Sequence, residues 1–219
     1  MIIACGGIKG GSGKTTVAVN LAVMRSKAGK QVLVVDADSA DNRNASDFAS
    51  HRDSVVEGGK GFEAVQINGK DVATNVPGLA KRFDDVVVDV GGADSHSQRA
   101  ALVIADVLVL PVFPSSLDIW VLGKVQSVIE EARIQNEGLR VVSFLMRADA
   151  SGTTNDEAAE ILRSLPGIEY HDVPVVNRKV FRTAAALGFG AVEVKPKDAK
   201  AWEEICALYA KVFSEEYPL

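Results

Sequence analysis

The sequence has only two cysteines, Cys5 and Cys206, far apart and in no CxxC spacing. A disulfide-stapled scaffold or a cysteine-rich metal site needs closer sets, so both thiols are read as reduced and semi-buried. Long hydrophobic runs are also missing. The longest apolar stretch, Ala100 to Phe113, contains Asp106 and Pro111 and is too short to span a bilayer. The opening MIIAC meets glycine at once, too early for a signal-peptide core. Positive charge is not in excess: the formal net charge is −5. That excludes a protein coated in positive charge but not a local basic patch, because the field at a ligand depends on where charges sit. No helix-turn-helix, zinc finger, internal repeat or low-complexity tract is visible. These absences leave a soluble cytoplasmic protein as the expectation.

Apolar residues make up 47% of the 219, enough for a substantial core, and the length suggests one domain over residues 1–219. Short β-branched runs at Ile2–Cys5, Gln31–Asp36, Val86–Val90, Val107–Val112, Val141–Leu145 and Asp172–Val175 read as strands. Their near-continuous apolar character suits parallel strands covered on both faces. Helical periods fall near Lys14–Lys27, Ser97–Ala105, Leu117–Asn136, Thr154–Ser164 and Ala199–Glu215. In the last of these, Trp202, Ile205, Tyr209 and Val212 share one face, which is read as packing against the sheet. The polar, glycine-rich stretch Ser50–Lys81 reads as an extended connection with a short strand at Phe62–Ile67. The alternation predicts an α/β fold: a doubly wound, mostly parallel sheet with helices on both faces.

The first strand runs into Gly6-Gly7-Ile8-Lys9-Gly10-Gly11-Ser12-Gly13-Lys14-Thr15-Thr16, and a helix follows. Phosphates need converging backbone N–H groups, and glycines let the chain bend tightly enough to present them. The helix that follows adds its N-terminal partial positive charge. In such a loop Lys14 reaches the β- and γ-phosphates and the Thr15 hydroxyl ligates Mg²⁺. The strict Walker pattern wants a glycine five positions before Gly13, where this chain has Ile8. Carboxylates stand at two strand ends. Asp36 and Asp38 point to the same side by alternation, and Asp89, delivered by Val86-Val87-Val88 and followed by Gly91-Gly92, reads as a Walker B acid serving Mg²⁺. Ligands of open α/β sheets bind beyond these strand ends.

The box from Lys9 to Thr16 resembles the deviant Walker A of the ParA/MinD family of P-loop ATPases, and the resemblance extends over nearly the whole chain. It is nearest to short ParA-type partition ATPases without an N-terminal DNA-binding domain. The resemblance implies ATP and Mg²⁺ held by Lys9, Gly10, Gly11, Ser12, Gly13, Lys14, Thr15 and Thr16. It also implies that Lys9 reaches the phosphates of a partner subunit's ATP, giving an ATP-dependent homodimer. By the same resemblance Asp38 orients the attacking water and belongs with Thr15 and Asp89 to the metal site, with Lys9 and Lys14 as its catalytic companions. Asp36 supports the metal shell or the loop, and Asp89 binds Mg²⁺ through a water. The family continues Pro-Gln where this chain has Ser39-Ala40. Asp94, Ser95 and His96 fall in the second switch, where His96 is read as a solvated or helix-capping residue. Arg147 is read either as stacking on adenine or as a plain surface arginine, and Pro174 as a wall of the base pocket.

Between Asn177 and Lys200 stand Arg178, Lys179, Arg182, Lys195, Lys197 and Lys200 against Glu193 and Asp198. This segment is read either as a surface for non-specific DNA or as a solvated face. The functional expectation is a nucleoid-associated ParA-type switch for plasmid or chromosome partition or cargo positioning, with slow hydrolysis stimulated by a ParB-like or adaptor partner. Two alternatives share the fold: a MinD-like membrane-cycling regulator, opposed by the acidic ending Ser214-Glu215-Glu216, and a metabolic enzyme, for which no substrate site is identified.

Overall fold

The computed structural model describes residues 1–7, 9–38, 42–91, 95–114, 116–149 and 153–218, with backbone alone for 116–122. Strands β1 (Ile2–Cys5), β2 (Val32–Ala37), β3 (Glu63–Gln66), β4 (Asp85–Val90), β5 (Val107–Val112), β6 (Arg140–Ala148) and β7 (Glu169–Tyr170) lie in the order β3-β2-β4-β1-β5-β6-β7. Strand β8 (Val175–Val176) also pairs with β6, and every described pairing is parallel. The helices are α1 (Lys14–Lys27), α2 (Asn44–Val55), α3 (Asp71–Ala80), α4 (His96–Ile104), α5 (Ser116–Arg133), α6 (Thr153–Ser164), α7 (Lys179–Ala186) and α8 (Ala199–Phe213).

Side-chain alternation sends each strand into two cores. Ile3, Cys5, Val34, Val87 and Val109 pack with α1, α2, α7 and α8. Ala4, Leu33, Val35, Val88 and Leu108 pack with α3, α4, α5 and α6. Covering both faces explains why β2, β4 and β5 are buried along their whole length and read as unbroken apolar runs. The expected doubly wound sheet is therefore found.

Several boundaries differ from the sequence reading. The stretch Ser50–Lys81 is not an extended connection: it holds the end of α2, β3 at the expected short strand, and α3. Helix α2 buries Ala45, Phe48, Ala49 and Arg52 at helical spacing, but only one of these is large and apolar. Helix α3 buries only Val72 and Val76 and carries Pro77, so its period is faint. The strand expected at Asp172–Val175 is Val175–Val176, and α7 lies in a segment read for its charge alone.

On α8, Ile205, Tyr209 and Val212 are buried as expected. The chain then reverses at Ser214, which is left-handed at φ 57°, and the Tyr217 ring stands edge-on to Tyr209 at 5.2 Å. Arg25 joins α1 to this ending. It bonds Asp85 and Tyr209, contacts Glu215, and stacks on Phe213 at 4.3 Å.

Phe144 on β6 is fully buried. Phe144→Ala should cost about 3–5 kcal/mol, read from urea unfolding. An unchanged midpoint would mean this side chain is not packed between the sheet and its helices.

Candidate nucleotide site

Strand β1 lies between β4 and β5, so its end opens at the centre of the sheet edge. The loop leaving it needs glycine at Gly13, which caps α1 with φ 95°. A Cβ there would meet Met146 Cγ at 2.8 Å. Met146 therefore forms a floor beneath the loop, and any side chain at Gly13 would collide with it.

Lys14, the first residue of α1, is 7% exposed, and its Nζ donates to the Lys9 carbonyl at 3.0 Å. Burial lowers the ammonium's pKa, while Asp89, Asp38 and the Cys5 thiol oppose that shift. Register places Asp89 beside Cys5 on one side and beside Asp36 on the other. Burial pushes the Asp89 carboxyl up to about 7; the Thr15 hydroxyl bond and Lys14 pull it down, and Asp36 and Asp38 push it up. Among the described residues, Asp89 Oδ1 is buried with no hydrogen-bond partner, and so is Ser12 Oγ in the loop. Buried polar atoms normally find partners. Two orphans on either side of Lys14 and Thr15 suit a site built to receive an anion together with a cation.

The donor set fits Mg²⁺. A hydroxyl and a carboxylate are hard oxygen ligands, and Mg²⁺ keeps several waters and takes further oxygens from phosphates. Among the described residues no group of three or more His, Cys, Asp or Glu is placed to hold a metal. Thr15 and Asp89 would thus hold the ion only with help from phosphate and water.

Asp38 lies against Gly91, where a Cβ would fall 2.9 Å from its Cγ. It also acts electrostatically on both Lys14 and Asp89. Asp36 does something else. Its Oδ2 accepts the Ser46 N–H at 2.8 Å, in the first turn of α2, and its Oδ1 accepts the Asp38 N–H at 3.4 Å. These bonds fit the loop-support role expected of Asp36.

A cleft of about 1170 Å³ runs over these groups. Gly10, Gly11, Gly13, Lys14, Thr15, Thr16, Asp38 and Arg147 line it as expected. Lys9 is exposed beside it. Arg147 is exposed and left-handed at φ 57°, an uncommon conformation for a non-glycine residue, where the β6–β8 register shifts. Pro174 is half-buried before β8 and is not among the described residues lining the cleft. His96 lines the cleft as the first residue of α4, while the cap itself is Ser95, whose side chain accepts the Gln98 N–H. Ser39, Ala40, Gly92 and Asp94 lie outside the described residues.

Sequence reasoning missed the α2 wall of the cleft: Asn44, Asp47, Phe48 and His51, with Asn68 and Gly69 beyond β3. The spacing of Ala45, Phe48, Ala49 and Arg52 was the available signal. Helix α2 is pinned at its far end too. Arg52 makes a paired contact with Glu193 at 2.7 and 2.9 Å and donates to the Gly188 carbonyl, while His51 Nε2 is 3.1 Å from the Ala186 carbonyl.

The basic segment is less free than its charge count suggests. Arg178 is engaged by Glu204 of α8 at 2.6 Å, and Lys197 Nζ sits 3.4 Å from the centre of the Trp202 ring. Lys179, Arg182, Lys195 and Lys200 are exposed.

The model of the CobQ/CobB/MinD/ParA nucleotide binding domain matches residues 3–182. This chain belongs to the ParA/MinD family. Its relatives include maintenance of carboxysome distribution protein A of Gloeobacter kilaueensis, 32% identical over 94% of this chain and 89% of that protein. The protein of the same name from Halothiobacillus neapolitanus is 26% identical over 93% of this chain and 92% of its own length. The solved Mg-ADP complex of the septum site-determining protein MinD from Pyrococcus horikoshii has the same fold. Its TM-score is 0.73 at 19% identity, covering 96% of this chain and 95% of that one. Family membership makes the chain a ParA-like ATPase with a nucleotide binding domain over these residues.

An Asp89 carboxyl that titrates near 7 in the folded chain and near 4 when unfolded binds a proton more tightly when folded. Its contribution to the stability of the nucleotide-free protein is therefore favourable at low pH and falls as pH rises from about 4 to about 7. Asp89→Asn should gain stability relative to wild type between pH 5 and 7.5, measured by denaturant unfolding without nucleotide or Mg²⁺. A difference independent of pH would refute this account.

Proposed function

We infer that this chain is an ATP-dependent dimerisation switch of ParA type that positions a cargo on nucleoid DNA in the cytoplasm. Its hydrolysis is slow and is stimulated by a ParB-like or adaptor partner. The reading is carried by the ligand-ready pair at the sheet edge: buried Lys14 and the orphaned Asp89 Oδ1, bridged by Thr15. One domain, residues 1–219, supplies every part.

Lys14 leaves the Lys9 carbonyl to meet the β- and γ-phosphates, while the amides of Gly10 to Thr16 surround them. Thr15 and Asp89 would hold Mg²⁺, which would supply charge neutralisation. Asp38, set against Gly91, orients a water. The water oxygen bonds to the γ-phosphorus, the bond to the ADP oxygen breaks with its electron pair, and the water proton passes to the phosphate products. Positioning and charge stabilisation provide most of the rate, so Asp38 need not be a strong base. Lys9, exposed at the mouth of the loop, crosses to the phosphates of a second subunit and makes association depend on ATP. Arg147 stacks on the base from the β6 bend.

Non-specific DNA is held by Lys179, Arg182, Lys195 and Lys200, doubled by dimerisation; Arg178 and Lys197 support the surface rather than contact phosphate. Both carboxysome-named relatives favour a carboxysome-sized particle as cargo, with plasmid, chromosome and chemoreceptor cluster as the other classes. A membrane-cycling role is the alternative reading; Tyr217 packs on Tyr209 and Glu215 contacts Arg25, so these residues are engaged with the fold. Among the described residues no helix is long and apolar enough to cross a membrane.

DNA co-sedimentation with and without ATP, repeated with anionic liposomes, tests the whole reading. Retention on DNA should need ATP, weaken steeply with salt and persist longer in Asp38→Ala; capture by liposomes instead would favour the membrane alternative. Lys14→Ala should abolish nucleotide binding. Lys9→Ala should keep monomer ATP affinity while lowering ATP-dependent association at least tenfold in analytical ultracentrifugation. Unchanged association would remove the cross-subunit role.

A further inference from the structure

Gln98 sits in the first turn of α4 and is 3% exposed. Its side-chain Oε1 accepts the Gly7 N–H at 3.1 Å, reaching across to the opening bend of the phosphate loop. Gly6, beside it, is kept small by Leu108, whose Cδ1 a Cβ there would approach to 2.9 Å. The same helical turn is braced twice more. Ser95 Oγ accepts the Gln98 N–H at 3.1 Å, and Ser97 Oγ accepts the Gly69 N–H at 2.7 Å. Helix α4 is the element that follows the Asp89 strand. Gly7 lies two residues before Lys9, whose carbonyl holds Lys14 Nζ.

We propose that Gln98 is a positioning residue for ATP hydrolysis, fixing the phosphate loop from the helix that follows the metal-binding strand. This role rests on the nucleotide site described above. Gln98 touches no phosphate itself. It fixes the amide of Gly7, and with it the frame that carries the Lys9 carbonyl, Lys14 and the loop amides. A loop free to shift at Gly7 would still bind nucleotide through Lys14 and α1, but would present its donors to the transition state less well. The deficit therefore falls on kcat more than on KM.

The test uses the full chain with ATP and Mg²⁺ and two variants. Gln98→Met fills the same buried space without a strong acceptor, whereas Gln98→Glu keeps an acceptor at the same reach. Gly7 amide protection reports the restored contact independently of any charge effect of the new carboxylate on kcat. We expect kcat to fall about tenfold in Gln98→Met, the size of one buried hydrogen bond, with faster exchange of the Gly7 amide by NMR. Gln98→Glu should restore Gly7 protection and bring kcat to within about threefold of wild type. Wild-type kcat in Gln98→Met would overturn the proposal, as would equal losses in both variants that follow their Tm values. A wild-type chain with no ATP turnover would overturn the reading of the site and this role together.

Discussion

One ammonium and three carboxylates share the carboxyl end of a dry parallel sheet, and the molecule is organised around keeping them there. Lys14 is held out of water among Asp89, Asp38 and the Cys5 thiol, and Asp89 is squeezed between strands that exclude solvent on both faces. Burial opposes charge on both partners, so neither is content without a ligand. A polyphosphate with a divalent cation relieves both at once, supplying anion to Lys14 and cation to Asp89. The two cores fix the strands, the strands fix the acids, and the glycine loop brings the lysine to them.

Around this centre, two helices are tied in by single polar side chains. Helix α4 meets the loop through Gln98 and the β3–α3 connection through Ser97. Helix α2 takes its first turn from Asp36, the neighbour of Asp89 in the sheet. Lys14, Asp89 and the glycine loop are thus mechanically connected to the walls of the cleft.

The part of this that could be read in the sequence is the part encoded locally. Lys9 to Thr16, Asp38 and Asp89 announce themselves because a glycine bend after an apolar strand, or an acid at a strand end, has its meaning within ten residues. Helix α2 was not legible because its buried face is two alanines, one phenylalanine and an arginine, whose burial depends on Glu193, 141 residues away. The basic segment was only partly legible for a related reason. A charge count over Asn177–Lys200 cannot see Glu204 or Trp202, which lie one turn further on in another helix and take up Arg178 and Lys197. Pro174 was assigned from a strand whose position moved.

Helix α2 is fastened at both ends by charged groups, with modest apolar packing between them. Its start hangs on Asp36, and its end on the guanidinium of Arg52 gripped by Glu193. Glu193 is lowered in pKa because Arg52 and the Gly190 N–H outweigh its burial. Acid strong enough to protonate it would release the grip. The far end of α2, and with it the outer flank of the cleft, would then be held by apolar packing, the Asp36 tie and the carbonyl contacts of Arg52 and His51.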